Sequence, residues 1–145
     1  MGLITMDFDI IEIEPQRYHS IIRAMCKNAP LHLILDTGAS QSVLNKEYEH
    51  YRFKKSSLES MKTVYSLNAK IKEYGEAIIP KIKIGRRIIH NTEFTLINFD
   101  YINRIYQDYA GFQIDGLLGN DFFLKHAAVI NYDKKQIRLK LNNST

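Results

Sequence analysis

The stretch Ile34–Ser40 constrains this chain more than any other segment. Its residues are Ile-Leu-Asp-Thr-Gly-Ala-Ser, so two apolar side chains lead directly into a carboxylate and a turn. A carboxylate at the end of a buried strand is costly unless neighbouring donors hold it. Gly38 permits backbone conformations closed to other residues, and Thr37 can donate a hydroxyl hydrogen. We therefore predict that Asp36 lies at the floor of a cleft, where the small Ala39 leaves room beside it.

Most of the remaining chain predicts short strands. Alternating or continuous apolar runs occupy Phe8–Glu14, Tyr18–Met25, Leu31–Leu35, Thr63–Leu67, Glu76–Ile84, Ile88–Ile97, Ala127–Tyr132 and Gln136–Leu141. A short helix is expected after Ser42 or Asn45. A second is expected from Asp100, with bulky residues in the core and a stop at Gly111. Many short strands with two brief helices favour a closed, mostly β domain.

A second motif lies late in the chain, at Ile114–Leu124, where two leucines and a glycine precede a helix start. Together with the Asp-Thr-Gly stretch it resembles the retropepsin-like aspartic proteases, and single-domain bacterial members in particular. The resemblance extends from about Tyr18 to Leu141. It implies a mostly β fold, a closed acid-protease barrel with one or two short helices. Residues 1–145 would form one such domain, acting as a symmetric homodimer.

The dimer follows from the chemistry that the resemblance implies. Peptide hydrolysis by carboxylates needs a pair, because one accepts a proton from water while the other donates one to the substrate. Two carboxylates about 3 Å apart cannot both ionise, so they share a proton. This chain of 145 residues has one Asp-Thr-Gly triplet, whereas two-lobed relatives carry two in a chain about twice as long. We therefore expect an isologous dimer whose axis passes between two copies of Asp36, with an extended peptide or protein as substrate.

The resemblance also assigns roles to individual residues. It implies that Asp36 is catalytic, that Thr37 hydrogen-bonds across the dimer axis, and that Gly38 steers the carboxylates and contacts the substrate. Further substrate contacts are expected from the loop and the flap, at Ala39, Ser40, Tyr65, Ser66 and Leu67. The turn Asp36–Ser40 is called the Asp loop below. The element that packs beneath it is expected to be structural and comprises Leu117, Leu118 and Gly119.

Some positions depart from the retroviral pattern. Retroviral members usually have an acidic residue at the position of Ser40 and an arginine at that of Asn120, which pair with each other. Both are neutral here, and the expected flap, Thr63–Tyr74, contains no glycine. These departures favour a second hypothesis, a dimeric module of the same fold that binds peptide or protein without cleaving it. We interpret Asp121 as a helix cap, and Asp115 is not expected to be a second catalytic acid.

Composition argues against other classes. The net charge is only +4 and the basic residues are scattered, so nucleic-acid binding is a weak third hypothesis. The histidines and Cys26 lack metal-ligand spacing, so we expect neither metal nor cofactor. No apolar run approaches the length of a membrane span, the first residues do not form a signal peptide, and one cysteine favours a reducing compartment. We predict a cytoplasmic protein that binds neither nucleic acid nor membrane.

Overall fold

The computed structural model describes residues 2–53, 63–66 and 69–141. Short strands dominate these ranges, as the alternating sequence predicts. The strands are Gly2–Asp7 (β1), Asp9–Glu14 (β2), Arg17–Cys26 (β3), Ala29–Leu35 (β4), Val43–Asn45 (β5), Arg52–Phe53 (β6), Thr63–Ser66 (β7), Ala69–Ile84 (β8), Arg87–Ile97 (β9), Gly116–Leu118 (β10), Val129–Asn131 (β11) and Gln136–Leu141 (β12).

The larger sheet closes into a barrel. Its strands follow the order β2-β3-β4-β10-β5-β9-β8-β6, and β7 pairs with β8 outside this path. An additional pairing, Met25 with Lys83, joins β3 to β8. Six strands, from β3 to β8 along that order, therefore form a closed ring, and the prediction of a mostly β, closed acid-protease barrel is confirmed.

The two ends of the chain form a separate three-stranded sheet in the order β1-β12-β11. β1 and β12 are antiparallel over six residue pairs, from Gly2 opposite Leu141 to Asp7 opposite Gln136. The sequence analysis did not predict β1, whose apolar and polar residues alternate only over the four positions from Ile4 to Asp7. Its pairing with β12 is what identifies this segment as a strand.

Apolar side chains divide between two cores. The first fills the barrel, where Leu31, Leu33 and Leu35 of β4 pack with Ile137 and Leu139 of β12. The second lies on the other face of β4, and it contains the following buried residues: Ile13, Ile21, Ile34, Val43, Ile97, Phe99, Tyr106, Ile114 and Leu117. Because successive side chains of a strand point to opposite faces, β4 separates the two cores.

Two α-helices and one 3-10 helix complete the described structure. The first α-helix, α1, spans Asp100–Ala110 and ends at Gly111, whose φ of +74° is the left-handed conformation that glycine adopts readily. This confirms the predicted stop. Its inward side chains include Tyr106, but Tyr101 and Tyr109 are exposed, so the expectation that every bulky residue of this helix is in the core was wrong. The second, α2, spans Asn120–Lys125.

The helix predicted after Ser42 or Asn45 is a 3-10 helix over Lys46–Tyr51. The Asn45 side chain caps it, accepting a hydrogen bond from the Glu47 amide at 3.5 Å. Before this cap the chain is extended, as β5, because it pairs with β9 and β10. Sheet pairing on both sides explains why the helix cannot begin at Ser42.

We predict that the C-terminal strand is part of the cooperative core. Ile137 is fully buried, so Ile137→Ala should lower the free energy of unfolding by about 2–5 kcal/mol, through lost burial and a residual cavity. The exposed neighbour Arg138 provides the control, and Arg138→Ala should change it by no more than about 0.5 kcal/mol. Urea denaturation of both variants measures the difference. Equal effects would mean that β12 does not contribute to the core.

Candidate active site

Asp36 follows directly after β4, and the main chain determines its location. β4 pairs antiparallel with β3 and parallel with β10. The Asp36 amide continues the second ladder by donating a hydrogen bond to the Leu118 carbonyl at 2.9 Å. The acidic residue is therefore held at the end of the strand by backbone bonds that do not involve its side chain.

The carboxylate of Asp36 is held by the turn that follows it. Its Oδ1 atom accepts a hydrogen bond from the Gly38 amide at 2.9 Å, and the Ala39 amide donates to the Asp36 carbonyl at 3.1 Å. A Cβ atom on Gly38 would lie 3.2 Å from Oδ1, so the turn approaches the carboxylate most closely when this residue has no side chain. Asp36 is half-buried, and Thr37 and Gly38 are exposed. This leaves an oriented carboxylate at an open surface.

The element that contains Leu117, Leu118 and Gly119 lies directly beside this turn. Leu117 and Leu118 are in register with Ile34 and Leu35 of β4. Gly119 has no room for a side chain, because an added Cβ would lie 2.8 Å from the carbonyl oxygen of Gln41. These contacts hold β10 against the Asp loop, and they are all within one chain.

Asp121 is not at the N-cap position of α2, but its Oδ1 atom accepts a hydrogen bond from the first-turn amide of Phe122 at 2.8 Å, as the cap interpretation predicts. The helix begins at Asn120, and its N-cap residue is Gly119, which has no side chain to donate or accept. Asp121 lies in the first turn, and its Oδ1 atom accepts hydrogen bonds from the Ser42 amide at 2.9 Å and the Ser42 hydroxyl at 2.8 Å. The Ser42 hydroxyl oxygen in turn accepts from the Gly119 amide at 2.9 Å. Asp121 therefore connects α2 to the chain that leaves the Asp loop.

Neutral hydrogen bonds attach the turn after Asp36 to the start of α2. The Asn120 side chain donates to the Thr37 carbonyl at 2.9 Å, and the Asn120 amide donates to the Ala39 carbonyl at 2.9 Å. Ser40 is exposed. The turn after Asp36 is thus attached to the start of α2 without a salt bridge between these positions.

Asp115 is a structural acid on the far end of β10. Its Oδ2 atom accepts a hydrogen bond from the His32 amide at 2.8 Å. Burial raises the pKa of Asp115 above its ordinary value, while the bond from the His32 amide acts in the opposite direction. The Asp115 carboxylate thus takes part in the pairing of β10 with β4. It bonds at His32, which lies four residues before Asp36 in the sequence.

Sequence reasoning missed two residues close to Asp36. His19 of β3 contacts Tyr106 of α1 edge to face, with 5.6 Å between ring centroids. Burial lowers the pKa of His19, and the charge of Asp36 partly offsets this effect. The sequence analysis considered the histidines only as possible metal ligands and gave none of them a role in the site. The signal that would have found His19 is the register of β3 with β4, which pairs Ser20 with Leu35 and so brings the next residue, His19, opposite Asp36.

Comparisons with known proteins agree with this geometry. A family model described as aspartyl protease matches residues 22–122. The chain belongs to the aspartyl protease family. No curated protein matches the sequence.

Two solved structures resemble this aspartyl protease in fold. A retropepsin-like aspartic protease from Rickettsia conorii is 21% identical, with a TM-score of 0.56, and the match covers 96% of this chain and 99% of that one. The retroviral protease-like domain of Ddi1 from Leishmania major is 16% identical, with a TM-score of 0.53, and the match covers 85% and 87%. Both likenesses support the predicted retropepsin-like fold.

The expected flap corresponds to the hairpin of β7 and β8. Tyr65 and Ser66 lie on β7, opposite Lys70 and Ala69 of β8. The third predicted flap residue, Leu67, lies outside the described residues. The hairpin agrees with the predicted position of the flap, and the substrate contacts of Tyr65, Ser66 and Leu67 stay predictions.

Neither a membrane-spanning helix nor a cluster of metal ligands is found in the described part of the chain. None of its helices has the length and apolar character needed to span a membrane. Within the same residues, no three or more His, Cys, Asp or Glu side chains are arranged to hold a metal ion.

We predict that Ser42 stabilises the Asp loop of this aspartyl protease. Ser42 is buried, and Ser42→Ala would leave the Asp121 carboxylate and the Gly119 amide each without one partner. The expected loss is about 1–3 kcal/mol in the free energy of unfolding. Ser40→Ala is the matched control, since Ser40 is exposed, and it should change stability by no more than about 0.5 kcal/mol. Denaturant titration compares the two. Similar values for both variants would contradict the role given to Ser42.

Proposed function

We propose that this protein is an aspartic endopeptidase that acts as a homodimer, with one Asp36 carboxylate from each subunit activating a water molecule. The observation that carries the proposal is the Asp36 carboxylate itself, which is half-buried at an open turn and held through one oxygen by the Gly38 amide at 2.9 Å. A carboxylate fixed in this way at the surface can meet its equivalent across a two-fold axis.

In the proposed reaction the two carboxylates share one proton, because like charges about 3 Å apart cannot both ionise. The ionised Asp36 accepts a proton from water as the water attacks the peptide carbonyl. The protonated Asp36 donates its proton to the carbonyl oxygen, and a proton passes to the leaving nitrogen as the tetrahedral intermediate collapses. Thr37 joins the two loops across the axis, and Gly38 steers the carboxylates.

The proposed substrate is an extended peptide or protein segment. Such a segment can bind as an added strand, through main-chain hydrogen bonds, with alternate side chains in pockets. We propose that Ala39 and Ser40 contact it from the floor of the cleft, and that Tyr65, Ser66 and Leu67 contact it from the flap. Leu117, Leu118 and Gly119 support the loop from below without contacting the substrate.

The wider predictions from sequence belong to the same proposal. We propose that residues 1–145 act as one domain in the cytoplasm, without a metal or other cofactor. The expected partners are a second copy of the chain and the peptide substrate, with no nucleic acid and no membrane.

A second candidate function is peptide or protein binding without cleavage. The observation that favours it is the absence of glycine from residues 61–74, since retroviral flaps have a glycine-rich tip. A flap of lower mobility would still allow an added strand to bind, but would hinder the closure that completes a catalytic site. Cleavage assays separate the two functions, because only the first predicts turnover.

We predict that Asp36→Asn abolishes cleavage of a mixed peptide library between about pH 4 and 7. An amide cannot accept the proton of the attacking water, so kcat/KM should fall by about 10²- to 10⁴-fold or more. The exposed Asp133 is the matched control, and Asp133→Asn should cleave like the wild type. Mass spectrometry of the products measures the loss. Cleavage that survives Asp36→Asn would overturn the catalytic assignment, and binding without cleavage by the wild type would favour the second function.

We also predict that dimerisation depends on protein concentration and controls activity. Because each subunit contributes one carboxylate, specific activity should decrease on dilution in parallel with the dimer fraction measured by analytical ultracentrifugation. Asp36→Asn should dimerise with little change, which separates assembly from chemistry. A protein that is monomeric at the highest concentrations and still cleaves would contradict the paired site.

A further inference from the structure

The Tyr106 hydroxyl is a buried polar group without a visible partner. Tyr106 is 4% exposed, and its Oη atom makes no hydrogen bond to any described residue. A buried hydroxyl that lacks a partner costs stability, and phenylalanine would fill the same space without that cost. Buried polar groups without a protein partner are uncommon, and they are found at functional sites or beside ordered water.

The strand pairing places His19 and Asp36 on the same side of the sheet as this hydroxyl. Ile21 of β3 is opposite Ile34 of β4, and both side chains belong to the second core together with Tyr106. Residues two positions along a strand point to the same face. His19 and Asp36 therefore continue this face toward the cleft.

The groups that the structure places around His19 include one charged residue, Asp36. Ile11 of β2 is opposite it in the sheet, Tyr106 approaches from α1, and Asp36 acts on it from the end of β4. Burial raises the pKa of Tyr106, and the negative charge of Asp36 raises it further. Both His19 and Tyr106 are therefore within electrostatic range of the proposed catalytic carboxylate.

We propose that His19 and Tyr106 are positioning residues for Asp36, which set the protonation of the paired carboxylates in the assembled cleft. The inference rests on the proposed function. His19 supplies a positive charge when it is protonated, and Tyr106 orients the imidazole and donates its hydroxyl hydrogen toward the Asp36 site once the cleft is occupied.

The proposed effect on pH dependence has a definite sign. The Asp36 anion favours protonated His19, so by thermodynamic reciprocity protonated His19 favours ionised Asp36. Burial lowers the pKa of His19, so its charge appears only as the solution becomes acidic. In the proposed mechanism, acidification also protonates the carboxylate pair, and activity is lost with its negative charge. His19 thus extends activity toward lower pH.

The first experiment measures kcat/KM against pH for wild type, His19→Gln and Tyr106→Phe. His19→Gln should move the acid limb upward by about 0.5–1 pH unit, as expected for the loss of one nearby charge. Tyr106→Phe should lower kcat/KM about tenfold while the Tm stays equal or rises, because the unsatisfied hydroxyl is removed. The matched controls are His90→Gln on β9 and Tyr109→Phe on the exposed side of α1, and both should behave as the wild type.

A second experiment does not depend on cleavage. NMR titration of the His19 ring in wild type and in Asp36→Asn should give a lower pKa in the variant, since the charge that favours the imidazolium has been removed. Equal His19 values in the two proteins would overturn the inference. So would unchanged pH profiles and rates in both His19→Gln and Tyr106→Phe. If the wild type is inactive, the proposed function is contradicted. The NMR titration would still show whether the charge of Asp36 affects the pKa of His19.

Discussion

The parallel pairing of β4 with β10 is the interaction on which the candidate site depends. It joins two segments that are about eighty residues apart in the sequence, and it is bonded at both ends. At one end the Asp115 carboxylate and amide pair with the His32 main chain. At the other end the Asp36 amide donates to the Leu118 carbonyl. If this pairing were lost, the acidic turn would have no fixed position relative to α2, and the carboxylate would be an ordinary surface group.

A network of hydrogen bonds, without a salt bridge among the described residues that form it, attaches the Asp loop to α2. Asp121 accepts two hydrogen bonds from Ser42, and Asn120 donates to the Thr37 carbonyl. A hydrogen bond to a charged group contributes about 1.5–3 kcal/mol, so the Ser42 bonds can provide much of what an ion pair would. Because Ser42 is buried, this attachment should also depend less on salt concentration than an exposed ion pair.

The second core links the proposed chemistry to the helix α1. The same apolar cluster contains Ile34, which is two residues before Asp36, and Tyr106 of α1. This helix places the Tyr106 ring against the imidazole of His19 on β3, and the Tyr106 hydroxyl is buried without a hydrogen-bond partner among the described residues. Strain or unsatisfied bonding of this type is commonly retained where it serves a function. The stability of α1 and the electrostatics of the site therefore depend on the same group of packed residues.

By itself, the sequence determined the position of the Asp-Thr-Gly turn and most of the strands. The run Ile34–Ser40 was sufficient to predict a carboxylate at the end of a buried strand, because local spacing and turn chemistry carry that information. Gly111 was correctly predicted to end α1, since a left-handed helix stop favours glycine. These features depend on residues that are close together in the chain.

Only the tertiary structure decided which distant groups meet at Asp36. The cap interpretation of Asp121 omitted its second partner, Ser42, because Ser42 is 79 residues away. Strand β1 was missed because its evidence is the pairing with β12. His19 lacked any local signal, since its importance comes from the register between β3 and β4. Hydrogen bonds and charges act through space, so a sequence pattern that reports neighbours along the chain cannot specify them.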